Sequence, residues 1–284
     1  MDIYVLVIVF MAVAVLVLDL VKLFIRRPKP REQRRLIDIG ASMTIGERET
    51  QEDQVNFMEL DGGVMAVLAD GAGQAYGGRI ASKIAVDTCM DIFKEYNAFN
   101  NPQYYFRKAF HCANKEILKV LGDEKRGSAS VGCVLVSRGL MYYALVGNVK
   151  IGVYREGNLV PVSTGHTVAV LAEQKFQEGT ISRDDALILL ENQRLYNYLG
   201  QDEFKDIEYF DAPIRLRQGD IIVLMSDGIY DLLGFKEIED VLERISDCQR
   251  KAFDIIELVN QNPASEKDNA SIILLGIGNG AEAQ

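Results

Sequence analysis

The sequence predicts a mainly antiparallel α+β fold, a sheet core with helices packed outside it, preceded by one transmembrane helix. Three observations carry this. Short apolar runs alternate with turn signals through most of the chain. Two of the turns, Ser137-Arg138-Gly139 and Glu156-Gly157-Asn158, have hairpin character and imply antiparallel pairing in the middle of the domain. The helical patterns come in consecutive pairs rather than alternating singly with strands, which argues against a doubly wound parallel sheet.

Residues 3–25 read IYVLVIVFMAVAVLVLDLVKLFI, an apolar stretch of the length that crosses a bilayer, broken only by Asp19 and Lys22 near its end. A cleaved signal peptide would carry its positive charge ahead of the apolar core, whereas here Asp2 precedes the core and RRPKPREQRR comes after it. That order identifies residues 1–25 as a membrane anchor, and the positive-inside rule places the C-terminal remainder of the chain in the cytoplasm. Pro28 and Pro30 make residues 26–40 a non-helical basic stalk, leaving 41–284 as one globular domain without an internal linker.

Within that domain, strands are expected at Gln54–Leu60, Val64–Ala69, Ser130–Ser137, Met141–Val146, Lys150–Tyr154, Ile221–Met225 and Ser271–Ile277. Helices are expected at Gly78–Glu95, Tyr104–Leu121, Arg183–Glu191, Phe235–Ile245 and Lys251–Asn260. Cys89, Cys112, Cys133 and Cys248 form no CxxC pair, so they read as reduced core thiols rather than a disulfide framework or zinc site.

A net charge of −10 argues against a nucleic-acid partner, whose phosphate backbone demands a basic face. The acidic residues fall at telling places. Asp70 comes directly after VMAVLA, Asp227 directly after IIVLMS, Asp268 precedes NASIILLGI, and Asp53 precedes QVNFMEL. Any one of these fits a turn cap. Four carboxylates at the rims of apolar strands repel one another and lose hydration, a cost that cations offset. Oxygen donors select hard ions such as Mg²⁺ or Mn²⁺, and with only His111 and His166 in the chain no histidine-rich site is available. A carboxylate that bridges two ions about 4 Å apart suits in-line displacement at a phosphoester.

Five motifs in order then resemble the type 2C (PPM) metal-dependent serine/threonine protein phosphatases, from about Ala41 to Gly276. They are Gly46-Glu47-Arg48 with Gln51-Glu52-Asp53, ADGAG at Ala69–Gly73, Gly127-Ser128, SDGIYD from Ser226 to Asp231, and Asp268-Asn269-Ala270-Ser271. The resemblance implies an antiparallel β-sandwich flanked by helical pairs, hydrolysis of phosphoserine and phosphothreonine in proteins, and a cognate serine/threonine kinase. It further implies that Asp70 bridges two ions, that Asp227 and Asp268 complete one, and that Asp53 and the Gly71 carbonyl serve the other, with Glu52 acting through water. Arg48 then matches the phosphate-binding arginine.

Two departures stand out. Ala72 replaces the histidine that acts as general acid in some members, and Gly147-Asn148-Val149-Lys150 puts an amide where an acidic ligand of a third metal is usual, although Asp231, its other usual ligand, is kept. The expectation is two ions, a third weak or absent, and reduced rather than abolished activity. A membrane-anchored pseudophosphatase is the alternative. The segment from Ser163 to Glu191 reads as a flap or a surface helical insertion. A dinucleotide site fails because Gly71, Gly73 and Gly77 are spaced GxGxxxG, and a cysteine phosphatase fails because Cys133 sits inside an apolar strand.

Overall fold

The computed structural model describes residues 37–278, apart from 96, 123–125, 191, 203 and 205. The expected membrane span at 3–25 lies outside these residues, as does the stalk up to residue 36. Among the described residues no helix is long and apolar enough to cross a membrane. Residues 37–40, assigned to the stalk from sequence, instead open the first strand.

Eleven strands are described: β1 Ile37–Thr44, β2 Gln54–Leu60, β3 Gly63–Gly73, β4 Gly127–Ser137, β5 Leu140–Val146, β6 Lys150–Arg155, β7 Asn158–Pro161, β8 Glu208–Tyr209, β9 Ile214–Arg215, β10 Ile221–Met225 and β11 Ala270–Ile277. The helices are α1 Gly77–Glu95, α2 Pro102–Leu121, α3 Val168–Gln177, α4 Arg183–Leu190, the single turn α5 Asp227–Tyr230, α6 Phe235–Leu242 and α7 Cys248–Gln261. One sheet runs β1-β11-β10-β6-β7 and the other β2-β3-β4-β5-β8, with β9 also on β5. Every pairing is antiparallel.

Alternation along the strands builds three apolar layers. Val64, Ala66 and Leu68 of β3 face the other sheet, where they meet Ile222 and Leu224 of β10 and Ile273 and Leu275 of β11. Their neighbours Met65, Val67 and Ala69 face the opposite way, onto Ala81, Ala85, Cys89 and Phe93 of α1 and Tyr105, Phe106 and Phe110 of α2. On the far side Val223, Ile272 and Leu274 pack against Ile238, Val241, Ile255 and Val259 of α6 and α7. Burial on both faces explains why these strands read as unbroken apolar runs rather than alternating ones.

Both expected hairpin turns form. Arg138 and Gly139 (φ 50° and 71°) join β4 to β5, and Glu156 and Gly157 (φ 51° and 87°) join β6 to β7. Positive φ at both central residues matches the right-handed twist of the strands they connect. Three of the four cysteines are buried, but Cys112 is exposed on α2 and is not the core residue expected.

Candidate functional site

One end of the sandwich carries an open cleft whose cavity holds about 690 Å³, and strand ends from both sheets deliver side chains into it. Arg48, Glu52, Asp70, Gly71, Asp227 and Asp268 all line it. Six of the eight residues nominated from sequence therefore share one cavity. Asp53 and Asp231 stand just outside its lining.

Asp70 does not end its strand, as the sequence suggested. β3 continues through ADGAG to Gly73, and Asp70 pairs with Ser130 of β4. Close backbone packing permits this. A Cβ on Gly71 would meet the Gly78 carbonyl at 2.2 Å, so the glycine lets the start of α1 lie against the strand. Between them Ala75 and Tyr76 adopt left-handed backbone (φ 49° and 68°), and Tyr76 lies exposed at the cleft wall. Such conformations cost about 1–3 kcal/mol each and persist where the surroundings over-determine them.

Asp227 is the first residue of α5, after Ser226, and its Oδ2 accepts a 2.9 Å hydrogen bond from Asn148 Nδ2. Asn148 is itself oriented, since its Oδ1 accepts from Ser130 Oγ at 2.7 Å and its carbonyl from Tyr230 Oη at 2.8 Å. The Gly147 turn before it (φ 95°) is held by His166, whose Nδ1 accepts from the Gly147 N–H at 3.1 Å. Asp268 Oδ2 pairs with Arg48 Nη2 at 2.7 Å, but both side chains are about half exposed, so the pair contributes little to stability.

Asp53, nominated as a ligand, is absent from the cleft lining. It is 1 % exposed, and its Oδ2 accepts from the hydroxyls of Ser226 (2.9 Å) and Ser271. It backs the cleft rather than lining it. Asn269, to which the sequence pattern assigned no role, locks the same region: its Oδ1 accepts from the Glu52 N–H at 2.6 Å and its Nδ2 donates to the Ile45 carbonyl at 2.8 Å. Asp231 lies beside Lys150, whose Nζ sits 3.6 Å from the Tyr230 ring centroid.

The electrostatics record crowding. Burial, then repulsion from Asp227 and Asp53, holds the Asp70 carboxyl well above the usual range. Burial pushes Asp53 from 3.8 up to about 6 against the lowering effect of its two serine donors. Burial and then Asp231 and Asp268 raise Asp227, and burial also raises Glu52 and Asp231. Among the described residues no three His, Cys, Asp or Glu side chains stand in a geometry that would hold a metal ion. Three of the carboxylates accept from nearby donors: Asp227 from Asn148, Asp268 from Arg48, and Asp53 from two serines. The donor chemistry nonetheless fits divalent cations, because oxygen donors share one cleft and three of them, Glu52, Asp70 and Asp227, have raised proton affinity.

A family model described as protein phosphatase 2C matches residues 42–261. The chain belongs to that family. Among its relatives, the serine/threonine phosphatase stp of Listeria welshimeri is 24% identical over 226 residues, 77% of this chain and 86% of that one. The protein phosphatase PhpP of Streptococcus pneumoniae is 24% identical over 247 residues, 85% and 98% of the two chains. The Streptococcus agalactiae serine/threonine phosphatase structure superposes with a TM-score of 0.73 at 21% identity, over 85% of this chain and 99% of that one. The catalytic domain of PstP in complex with 2 manganese ions gives a TM-score of 0.65 at 18% identity, over 86% and 99%. The β-sandwich with helical pairs expected from sequence is thus the fold of the family.

Because Asp53 has a higher pKa folded than unfolded, the metal-free folded chain binds more protons between 3.8 and about 6, and its stability declines as pH rises through that window. Mn²⁺ held among these carboxylates would displace protons and would bind better as pH rises. Differential scanning fluorimetry will therefore show a larger gain in Tm on adding Mn²⁺ at pH 7 than at pH 5. Equal gains at both values would contradict the assignment.

Proposed function

We propose that this chain is a metal-dependent phosphatase that removes phosphate from serine and threonine side chains of phosphoproteins, working with two ions and opposing a serine/threonine kinase. The charge of the cleft carries the proposal. Its lining holds five carboxylates, Glu49, Glu52, Asp70, Asp227 and Asp268, against the single guanidinium of Arg48. A cavity of that sign repels a phosphate dianion unless cations reside in it.

Asp70, Asp227 and Asp268 would hold one ion, and Asp70 with the Gly71 carbonyl the other, assisted by Glu52 through water and by the negative charge of Asp53 behind. When bound, such a pair of Mn²⁺ or Mg²⁺ ions supplies Lewis-acid activation of water and of the phosphoryl oxygens. Occupancy by cations would relieve Asp268 of its need for Arg48, freeing the guanidinium at the mouth of the cleft to clamp two phosphate oxygens. Ala72 offers no proton, so the leaving alkoxide takes one from water, at a cost of about 10² in rate relative to a positioned general acid.

Asn148 and Lys150 weaken a third cation site. The Asn148 amide donates to an Asp227 oxygen and would compete with such an ion for it, and the Lys150 ammonium supplies positive charge near Asp227 and Asp231. Two ions are therefore retained and a third is weak or absent.

With a phosphothreonine peptide and Mn²⁺, Asp227→Asn is expected to lower kcat by about 10² or more. Arg48→Ala is expected to lower kcat/KM at least tenfold, roughly the value of a hydrogen bond to a charged group. Wild-type chain that binds Mn²⁺ yet turns over no peptide would instead support the pseudophosphatase reading, which Ala72 and Asn148 favour.

The apolar span at 3–25 and the arginines after it support a single-pass anchor with the catalytic domain in the cytoplasm. Protease added to inverted membrane vesicles should digest the domain, and protease added to intact spheroplasts should leave it whole. The opposite pattern would refute the orientation.

A further inference from the structure

Beside the carboxylate cleft, at the C-terminal end of α2, lies a second cavity of about 590 Å³. Ala72, Gly73 and Ser128 line both cavities, so the two are continuous across the paired ends of β3 and β4. The second cavity has a floor of bare backbone at Gly73, Gly127 and Gly200. The exposed apolar groups of its wall are the half-buried Leu118 and Tyr198, with Ile117 and Leu121 buried beneath them.

This wall is preformed. Asn114, buried on α2, accepts at Oδ1 from the N–H groups of Gly200 (2.6 Å) and Gln201 (3.2 Å) and donates from Nδ2 to the Gln201 carbonyl at 3.0 Å. Leu199, fully buried, exchanges two backbone hydrogen bonds of 3.0 Å with Ala129 of β4. The loop carrying Tyr198 is thereby fixed to both α2 and β4, facing the half-buried Leu118 side chain across the cavity.

We infer that this second cavity is the subsite for the polypeptide of the phosphoprotein substrate, taking an apolar side chain close to the phosphorylated residue. The inference rests on the phosphatase reading of the adjoining cleft and goes beyond it by naming what surrounds the phosphate. Spacing fixes the register. Asp70 and Gly73 are three residues apart on β3, roughly 10 Å at the rise of an extended strand. An extended peptide with its phosphate in the cleft therefore presents to the cavity a side chain two or three residues from the phosphoresidue. Arg126 and Asp202, both at the mouth, carry opposite charges and select no net charge in the peptide. Selection falls to Leu118 and Tyr198, the accessible apolar groups, which would favour leucine over serine at that position by about tenfold.

The test uses the full chain with Mn²⁺, phosphothreonine peptides bearing Leu or Ser two or three residues to either side of the phosphothreonine, and p-nitrophenyl phosphate, which is too small to reach the second cavity. Leu118 is only half-buried, so Leu118→Glu and, independently, Tyr198→Ala alter the wall without opening the core. The expected result is a preference of about tenfold for Leu peptides at one of these positions in the wild type. Both variants should lose it through a raised KM, with p-nitrophenyl phosphate turnover unchanged. A preference that survives both substitutions, or an equal loss on both substrates, would overturn the subsite and leave the phosphatase reading in place. Absence of metal-dependent turnover of either substrate would overturn both.

Discussion

Repulsion among carboxylates delivered to one end of a dry β-sandwich is the constraint on which the rest of this structure turns. Asp70 from β3, Asp227 after β10, Asp268 before β11 and Asp53 before β2 come from both sheets and converge where the core gives way to solvent. Asp53, Asp70 and Asp227 are desolvated, and the charges around them raise the proton affinity of these three further. A fold selected for stability alone would not assemble them. Their convergence makes physical sense only if positive charge is meant to sit among them, and the donors that now answer them (a serine pair, an amide, one arginine) are too few to neutralise the set.

The scaffold around that charge is stiff for reasons visible in the backbone. Ser226 and Ser271, from two neighbouring chain segments, hold Asp53, while Asn269 ties the Glu52 segment to the start of β11. The β3–α1 junction is close-packed: a Cβ on Gly78 would meet the backbone of Ala72 at 2.8 Å, as one on Gly71 would meet Gly78. These contacts hold the carboxylate-bearing strand ends against their own repulsion. They also lend a ready floor to the neighbouring cavity, so the groups that present phosphate and those that read its surroundings share one strand pair.

Much of this was legible in the sequence. The doubly buried strands announced themselves as apolar runs, the hairpins as Arg-Gly and Glu-Gly turns, and the carboxylates of the cleft as acids abutting such runs. Other features stayed hidden for physical reasons. Asp38 and Gly40 interrupt the apolar pattern of β1, yet a Cβ on Gly40 would meet the Cys248 backbone at 2.1 Å, so the glycine is there to let α7 lie on the strand. The continuation of β3 through ADGAG is masked because Asp-Gly usually signals a turn, and only pairing with β4 keeps it extended. α3 gives a weak signal because only Ala169 and Ala172 of its apolar residues are buried, and β8 and β9 are two residues each, below any periodic signal. Asn269 and the two serines bear no charge to mark them, though all three stand inside the motifs that carry the resemblance. Asp53, nominated as a ligand, is buried behind the cleft with two hydroxyls on one oxygen, a placement no sequence pattern signals.

Where the chain departs from its family, the substitutions form a connected set. Asn148 donates to Asp227 and is braced by Ser130 and Tyr230, and the ring of Tyr230 carries the Lys150 ammonium. A tethered cation and an amide thus stand near Asp227 and Asp231 and offset part of their charge. The direct test is electron paramagnetic resonance of the full chain loaded with Mn²⁺. Two ions bridged by Asp70 will give the exchange-coupled spectrum of a Mn²⁺ pair, and that signal will disappear in Asp70→Asn. A six-line spectrum from a single isolated ion, or no bound Mn²⁺ at all, would contradict the account.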